Sequence, residues 1–185
     1  MGKFISRFRN QTNQMNIVMV GFDGAGKTTI LNKLTNGNVV MVPIIGISVE
    51  TASYNNITFN AWEIGGPGKF NQLYSNYFQN TNGIILVVDS NNIGILNEKF
   101  NQFQYPTYVK DELHKLLSDL SPNIPLLIFA NKNDLTKLSI QEIIDRLELN
   151  ILNNRQWHVQ SCSGVSGYRL NEGLEWLINK IESKF

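Results

Sequence analysis

The sequence predicts an α/β fold, a mostly parallel sheet with helices on both faces. Three observations lead there. Continuous apolar runs at 16–20, 83–89 and 125–130 read as strands buried on both faces, as in the middle of a parallel sheet. Segments with apolar residues at helical spacing alternate with these runs, as helices crossing over a sheet do. The runs at 83–89 and 125–130 end at polar residues, where ligands gather in open α/β sheets.

A chain of 185 residues suits one domain with a full core. Its apolar fraction of 42% is that of a globular protein. A net charge of +1 gives no support for a nucleic-acid or acidic partner. The one cysteine, Cys162, excludes an internal disulfide and fits a reducing compartment. It reads as a small buried apolar residue rather than a catalytic thiol. No apolar run approaches the ~18 residues of a membrane-spanning helix. Asparagine, frequent and scattered, reads as drift on loops and exposed faces.

Residues 1–14 form a segment of their own ahead of a domain at 15–185. Met1-Gly2-x-x-x-Ser6 has the pattern of an N-myristoylation signal with Gly2 as acceptor. Phe4, Ile5 and Phe8 share one helical face, with Lys3, Arg7 and Arg9 largely off it. Such a basic amphipathic helix lies in a membrane interface and supplies the second signal that one acyl chain needs. A frayed terminus is the other reading, and the charge of Lys3 beside Gly2 counts against lipidation.

The strand at 16–20 runs into Gly21-Phe22-Asp23-Gly24-Ala25-Gly26-Lys27-Thr28-Thr29, the phosphate-loop pattern of glycine, four residues, then Gly-Lys-Thr. Gly21 and Gly26 allow backbone angles that a Cβ forbids. The freed N–H groups can curl around phosphate oxygens as a concave anion site. Lys27 reaches the outer phosphates as a point charge, and Thr28 offers a hydroxyl to Mg²⁺. Ile30, Leu31 and Leu34 follow at helical spacing, so a helix N-terminus also faces the phosphates.

Residues 35–47, with Gly37, Pro43 and Gly46, read as a loop. Two strands follow at 48–54 and 57–63, joined by an Asn55-Asn56 turn. Gly65-Gly66-Pro67-Gly68 then breaks the pattern. Residues 97–120 are mostly helical, interrupted at Tyr105-Pro106. Phe100, Phe103, Tyr105 and Tyr108 there are either the faces of an elongated helix and loop or a partner-binding aromatic patch. Ser139 opens another helix, with Glu142 completing a capping box. The last helix, 171–185, carries Leu174, Leu177, Ile178 and Ile181 on one face.

Phosphate loops serve kinases, ATPases and GTPases alike, and a second motif separates them. Asn131-Lys132-Asn133-Asp134 follows the strand at 125–130 directly. A buried Asp134 carboxylate can accept from guanine N1–H and from its 2-amino group. Adenine offers no such pair and would leave the carboxylate unpaired. Lys132 can lie along the ring, and Asn131 can tie this loop to the phosphate loop.

With these two motifs the chain resembles the ADP-ribosylation factor (Arf) family of small GTPases, in the Ras-like superfamily. The resemblance runs nearly end to end: the Met1-Gly2 start, the phosphate loop, Gly46-x-x-Val49-Glu50-Thr51, and Trp62-Glu63-Ile64-Gly65-Gly66. It continues through Tyr77-Phe-Gln-Asn-Thr81, Val87-Val-Asp-Ser90, Phe129-Ala-Asn-Lys-x-Asp134 and Gly173-Leu-Glu-Trp-Leu177. It implies a phosphate-loop G domain with a six-stranded sheet, binding GTP or GDP with Mg²⁺. Gly66 would touch nucleotide, and Ser163-Gly164 would meet the guanine oxygen. Glu63 would hold the metal through water. It further implies a hairpin between two switch segments that slides on nucleotide exchange and frees the N-terminal helix for membrane. The protein would be a cytoplasmic monomer, peripheral on Golgi-type endomembranes when active. An exchange factor, an activating protein and effectors would be its partners, in vesicle transport. Ile47, Trp62 and Tyr77 match the family's effector-surface positions, two of them as aromatics.

Three departures fall on the catalytic machinery. Ile44 stands where the family has the threonine that ligates Mg²⁺. Glu63 replaces an aspartate on a longer arm. Pro67 occupies the position of the glutamine that orients the attacking water, and proline can neither donate nor accept from its side chain. No catalytic residue is assigned, and GTP hydrolysis is expected to be slow or absent, with stimulated turnover down by ~10³-fold or more. A nucleotide-loaded scaffold that never switches is the competing function. A small-molecule kinase is disfavoured, because residues 131–134 have no role in one.

Overall fold

The computed structural model describes residues 14–37, 39–44, 47–54, 57–63, 78, 80–91, 109–135 and 138–183, without the side chains of 41–48, 54, 62 and 63. Seven strands form one sheet: β1 (Met15–Gly21), β2 (Val39–Ile44), β3 (Ile47–Tyr54), β4 (Ile57–Glu63), β5 (Gly83–Asp89), β6 (Leu126–Asn131) and β7 (Trp157–Ser161), in the order β2-β3-β4-β1-β5-β6-β7. Four of its pairings are parallel, β4–β1, β1–β5, β5–β6 and β6–β7; β2–β3 and β3–β4 are antiparallel. Four described α-helices accompany it, α1 (Lys27–Thr35), α2 (Val109–Ser118), α3 (Ile140–Arg146) and α4 (Leu170–Glu182), with a 3-10 turn at Leu149–Ile151.

Strand parity sorts the core into two layers. Ile84, Leu86 and Val88 of β5 face one side, together with Val18, Val20, Leu126 and Ile128, against Leu113 and Leu116 of α2 and Ile143 of α3. Ile85 and Val87 face the other side with Ile17, Met19, Leu127 and Phe129, against Ile30 and Leu31 of α1 and Leu174, Leu177, Ile178 and Ile181 of α4. Both faces of the central strands are thus dry, which is why those runs are continuously apolar rather than alternating.

The expected mostly parallel α/β sheet is present, with one strand more than the six expected. The extra one is β2, inside the segment that reads as a loop. Its Val39-Val40-Met41-Val42 run pairs antiparallel with β3, from Val39↔Ala52 to Ile44↔Ile47. Gly37 and Pro43 favour a loop, but β2 lies at the sheet edge, where a proline without an N–H is tolerated. Strand β7 has no clear sequence signal, because Trp-His-Val-Gln-Ser is too mixed for a buried run; pairing with β6 decides it. Of the helix expected at 97–120, α2 covers 109–118, and the chain turns at 119–120. Residues 92–108, with Phe100, Phe103, Tyr105 and Tyr108, lie outside the described residues, as do the Asn55-Asn56 turn and segment 1–13. Among the described residues no helix is long and apolar enough to cross a membrane.

Candidate functional site

The loops after β1, β6 and β7 meet at the ends of the parallel strands, and one side chain joins them. Asn131, only 3% exposed, donates from Nδ2 to the Ala25 carbonyl at 2.8 Å. Its Oδ1 accepts from the Gly164 amide, also at 2.8 Å. The phosphate loop, the Asn-Lys-x-Asp loop and the loop carrying Ser163 and Gly164 are therefore held by the two ends of one carboxamide. Sequence reading gave Asn131 the first of these ties; the second appears only in three dimensions. The Asn131 carbonyl in turn accepts from the Ser90 amide at 3.0 Å and from its hydroxyl. Asn133 is fixed by its amide to the Cys162 carbonyl at 3.0 Å and by the Ser161 hydroxyl at 2.6 Å.

The two glycines of the phosphate loop are needed for different reasons. Gly26 sits at φ 99°, and a Cβ there would strike the Asn131 amide. Gly21 has no positive φ, contrary to the expectation that unusual backbone angles require it. A Cβ on Gly21 would lie 2.6 Å from the Val87 carbonyl oxygen, so close approach of β5 excludes a side chain. No side chain caps α1 at Gly26, which leaves its first-turn N–H groups aimed outward. Asp23, Gly24, Thr28 and Thr29 are exposed around this concavity, with Ala25 buried behind them. Lys27 folds over the loop, donating from Nζ to the carbonyls of Gly21 and Phe22 at 2.8 and 2.9 Å.

Thr28 has a partner the sequence did not reveal. Its Oγ1 donates to the Glu50 carboxylate of β3, lying 2.6 and 2.7 Å from the two oxygens. A hydroxyl and a carboxylate this close supply the hard oxygens that Mg²⁺ takes. No group of three or more His, Cys, Asp or Glu among the described residues could hold a metal by itself. Phosphate oxygens and water would have to complete the sphere, as they usually do for Mg²⁺. In the sequence Glu50 belongs to the Gly46-x-x-Val49-Glu50-Thr51 match and is a charged residue beside Val49 in a strand; its meeting with Thr28 depends on sheet register.

Asp134 is exposed on the turn after β6 rather than buried as expected from its role in base selection; a base would have to cover it. Lys132 extends to Asp89 at the end of β5, Nζ to Oδ2 2.7 Å. Ser163 is buried beside Gly164. Burial pushes the Cys162 thiol up to about 12, consistent with an inert core residue. The backbones of Ile44, Ile47, Trp62 and Glu63 lie on β2, β3 and β4, while their side chains are not described. Gly2, Gly66, Pro67 and Tyr77 lie outside the described residues.

The fold and the sequence have counterparts among known proteins. A solved structure of the Arl6 (BBS3) small GTPase from Trypanosoma brucei, which carries the nucleotide analogue GppNp, matches with a TM-score of 0.71 at 28% identity, over 94% of this chain and 100% of that one. Residues 1–181 match the ADP-ribosylation factor family, Arf, as a whole. Sheet, loops and sequence agree, and the chain belongs to the ADP-ribosylation factor family of small GTPases.

Proposed function

We propose that this protein is a guanine-nucleotide switch of Arf type, recruited to membranes through its N-terminal segment, with slow GTP hydrolysis. The observation that carries the nucleotide reading is the Asn131 carboxamide, which clamps the phosphate loop to the two loops that would read a base. In this reading the amides from Asp23 to Thr29 and the Lys27 ammonium hold the phosphates. Thr28 and Glu50 face the metal, with Glu63 reaching it through water. Bound Mg²⁺ would neutralise the outer phosphates. Asp134 selects guanine, Lys132 lies along its ring, and Ser163-Gly164 meets its oxygen. Gly66 completes the set from the segment after β4.

Slow hydrolysis rests on Pro67 and Ile44, which stand where the family has the glutamine that orients water and the threonine that senses the outermost phosphate. Membrane recruitment rests on the 1–14 segment, with Gly2 as the lipid acceptor. The site of action would be the cytoplasmic face of Golgi-type endomembranes, in vesicle transport. Ile47, Trp62 and Tyr77 would present the effector surface.

Single-turnover hydrolysis by purified protein tests the catalytic half. Retained GTP over hours supports it, and a rate equal to that of an Arf protein with the glutamine overturns it. Flotation with liposomes, GDP against a non-hydrolysable GTP analogue, tests the switch. Nucleotide-dependent binding supports it, and equal binding makes the protein a static scaffold.

A further inference from the structure

Asp89 ends β5, outside both motifs, and its two oxygens are divided. Oδ1 accepts from the Asn91 amide of its own turn at 3.0 Å, and Oδ2 takes the Lys132 ammonium at 2.7 Å. The carboxylate is therefore anchored by its own turn and offers the lysine a fixed partner. The pair is partly desolvated, Asp89 at 15% side-chain exposure and Lys132 at 33%, so it outweighs a solvated surface pair.

Lys132 itself sits at φ 63°, in the left-handed region that side-chain-bearing residues rarely adopt. Its backbone is held there without Asp89: Leu135 N donates to the Lys132 carbonyl at 2.8 Å and Asn133 N to the Cys162 carbonyl at 3.0 Å. The ends of β5 and β6 are likewise fastened without Asp89, through Ser90 to the Asn131 carbonyl. Loop and strand ends are thus secured by other bonds. What the ion pair adds is the direction of one long side chain.

We propose that Asp89 is a positioning residue for purine binding: it stretches Lys132 from the Asn-Lys-x-Asp loop to the β5 turn, so that the lysine's methylene stem rather than its charge is presented to the ring face. This rests on the guanine-nucleotide reading above. A lysine fixed before the ligand arrives spares binding the ordering of a flexible side chain. The contact is with the ring face, so it is blind to the 2-amino group, which is left to Asp134.

Release of fluorescent GDP and IDP from the full-length protein tests this, in Asp89→Asn, Asp89→Glu, Lys132→Met and the double variant Asp89→Asn/Lys132→Met. Asp89→Asn is expected to speed release of both nucleotides about fivefold to tenfold, because lost preorganisation is read mainly in the off-rate. The GDP-to-IDP preference stays unchanged. Asp89→Glu, which keeps the charge, stays within about twofold of wild type. The double variant releases no faster than Lys132→Met, since the two act as a unit. Additive effects, a collapsed GDP-to-IDP preference, or unfolding of nucleotide-free Asp89→Asn would each overturn the proposal, since Asp89 would then be supporting the loop. Failure of the wild-type protein to bind GDP is a separate result and overturns the guanine reading itself.

Discussion

Asn131 concentrates the site in one side chain. Replacing it with alanine strips the Ala25 carbonyl and the Gly164 amide of their partner inside a buried junction. Each orphaned buried group costs about 1–3 kcal/mol. Asn131→Ala is therefore expected to weaken GDP binding by at least about tenfold and to lower the melting temperature, checked by calorimetry and thermal unfolding. Cys162 makes the opposite point. Burial holds its thiol neutral up to about 12, against an ordinary 9.0. The native protein should resist alkylation at pH 8 and react only once unfolded, as mass spectrometry would read. Its folded-state value is raised, so this contribution to stability is complete below pH 9 and falls as pH rises toward 12. Asn131 was legible because its motif has a spacing and a role. Glu50 was not, because its meeting with Thr28 joins a strand to a helix 22 positions away in sequence.

At the scale of elements, α3 shows what local chemistry settles alone. Ser139 accepts from the Glu142 amide at 3.2 Å, while the Glu142 carboxylate accepts from the Ser139 amide at 2.8 Å. That reciprocal cap lies within four residues, so the sequence displays it in full. Ser139→Ala should destabilise the protein by about 1 kcal/mol in urea unfolding. The Ser139 amide, then its hydroxyl, hold the Glu142 carboxyl below its ordinary 4.5. A lowered folded-state value means that the cap is complete above pH 4.5 and is lost as pH falls through that lowered value, so the Ser139→Ala difference should shrink in acid. Strand β2 is the counterexample. Its Val-rich sequence favours a strand, its Gly and Pro favour a loop, and only the free edge of β3 decides between them.

Across the whole molecule, the two core layers and the parallel sheet place three loop ends together, each from a different strand. A ligand that bridges them should stabilise the fold as a unit. At one hundred times its dissociation constant, GDP should add about 2.7 kcal/mol and raise the melting temperature by several degrees. ATP at the same concentration should not. Differential scanning calorimetry with each nucleotide checks this, and equal shifts would contradict the base reading. Arg155 ties the far end together, its guanidinium donating to the carbonyls of Leu117, Leu120 and Ile124 at 3.2, 3.0 and 2.6 Å. Burial lowers its affinity for the proton, and these carbonyls compensate where no carboxylate pairs with it among the described residues.

The sequence by itself determined the parallel core strands, the helices between them, the phosphate loop, the base-reading motif and the family. Each is a local pattern: periodicity, a capped turn, or spacing fixed by a loop of set length. The tertiary structure alone decided the seventh strand, the second tie of Asn131, the Glu50 carboxylate against Thr28, and Asp89 against Lys132. The last three are meetings between residues 22 to 43 positions apart, brought together by strand order and register, which no single segment encodes; the seventh strand pairs with its neighbour in sequence, and the free edge of β3 decides it.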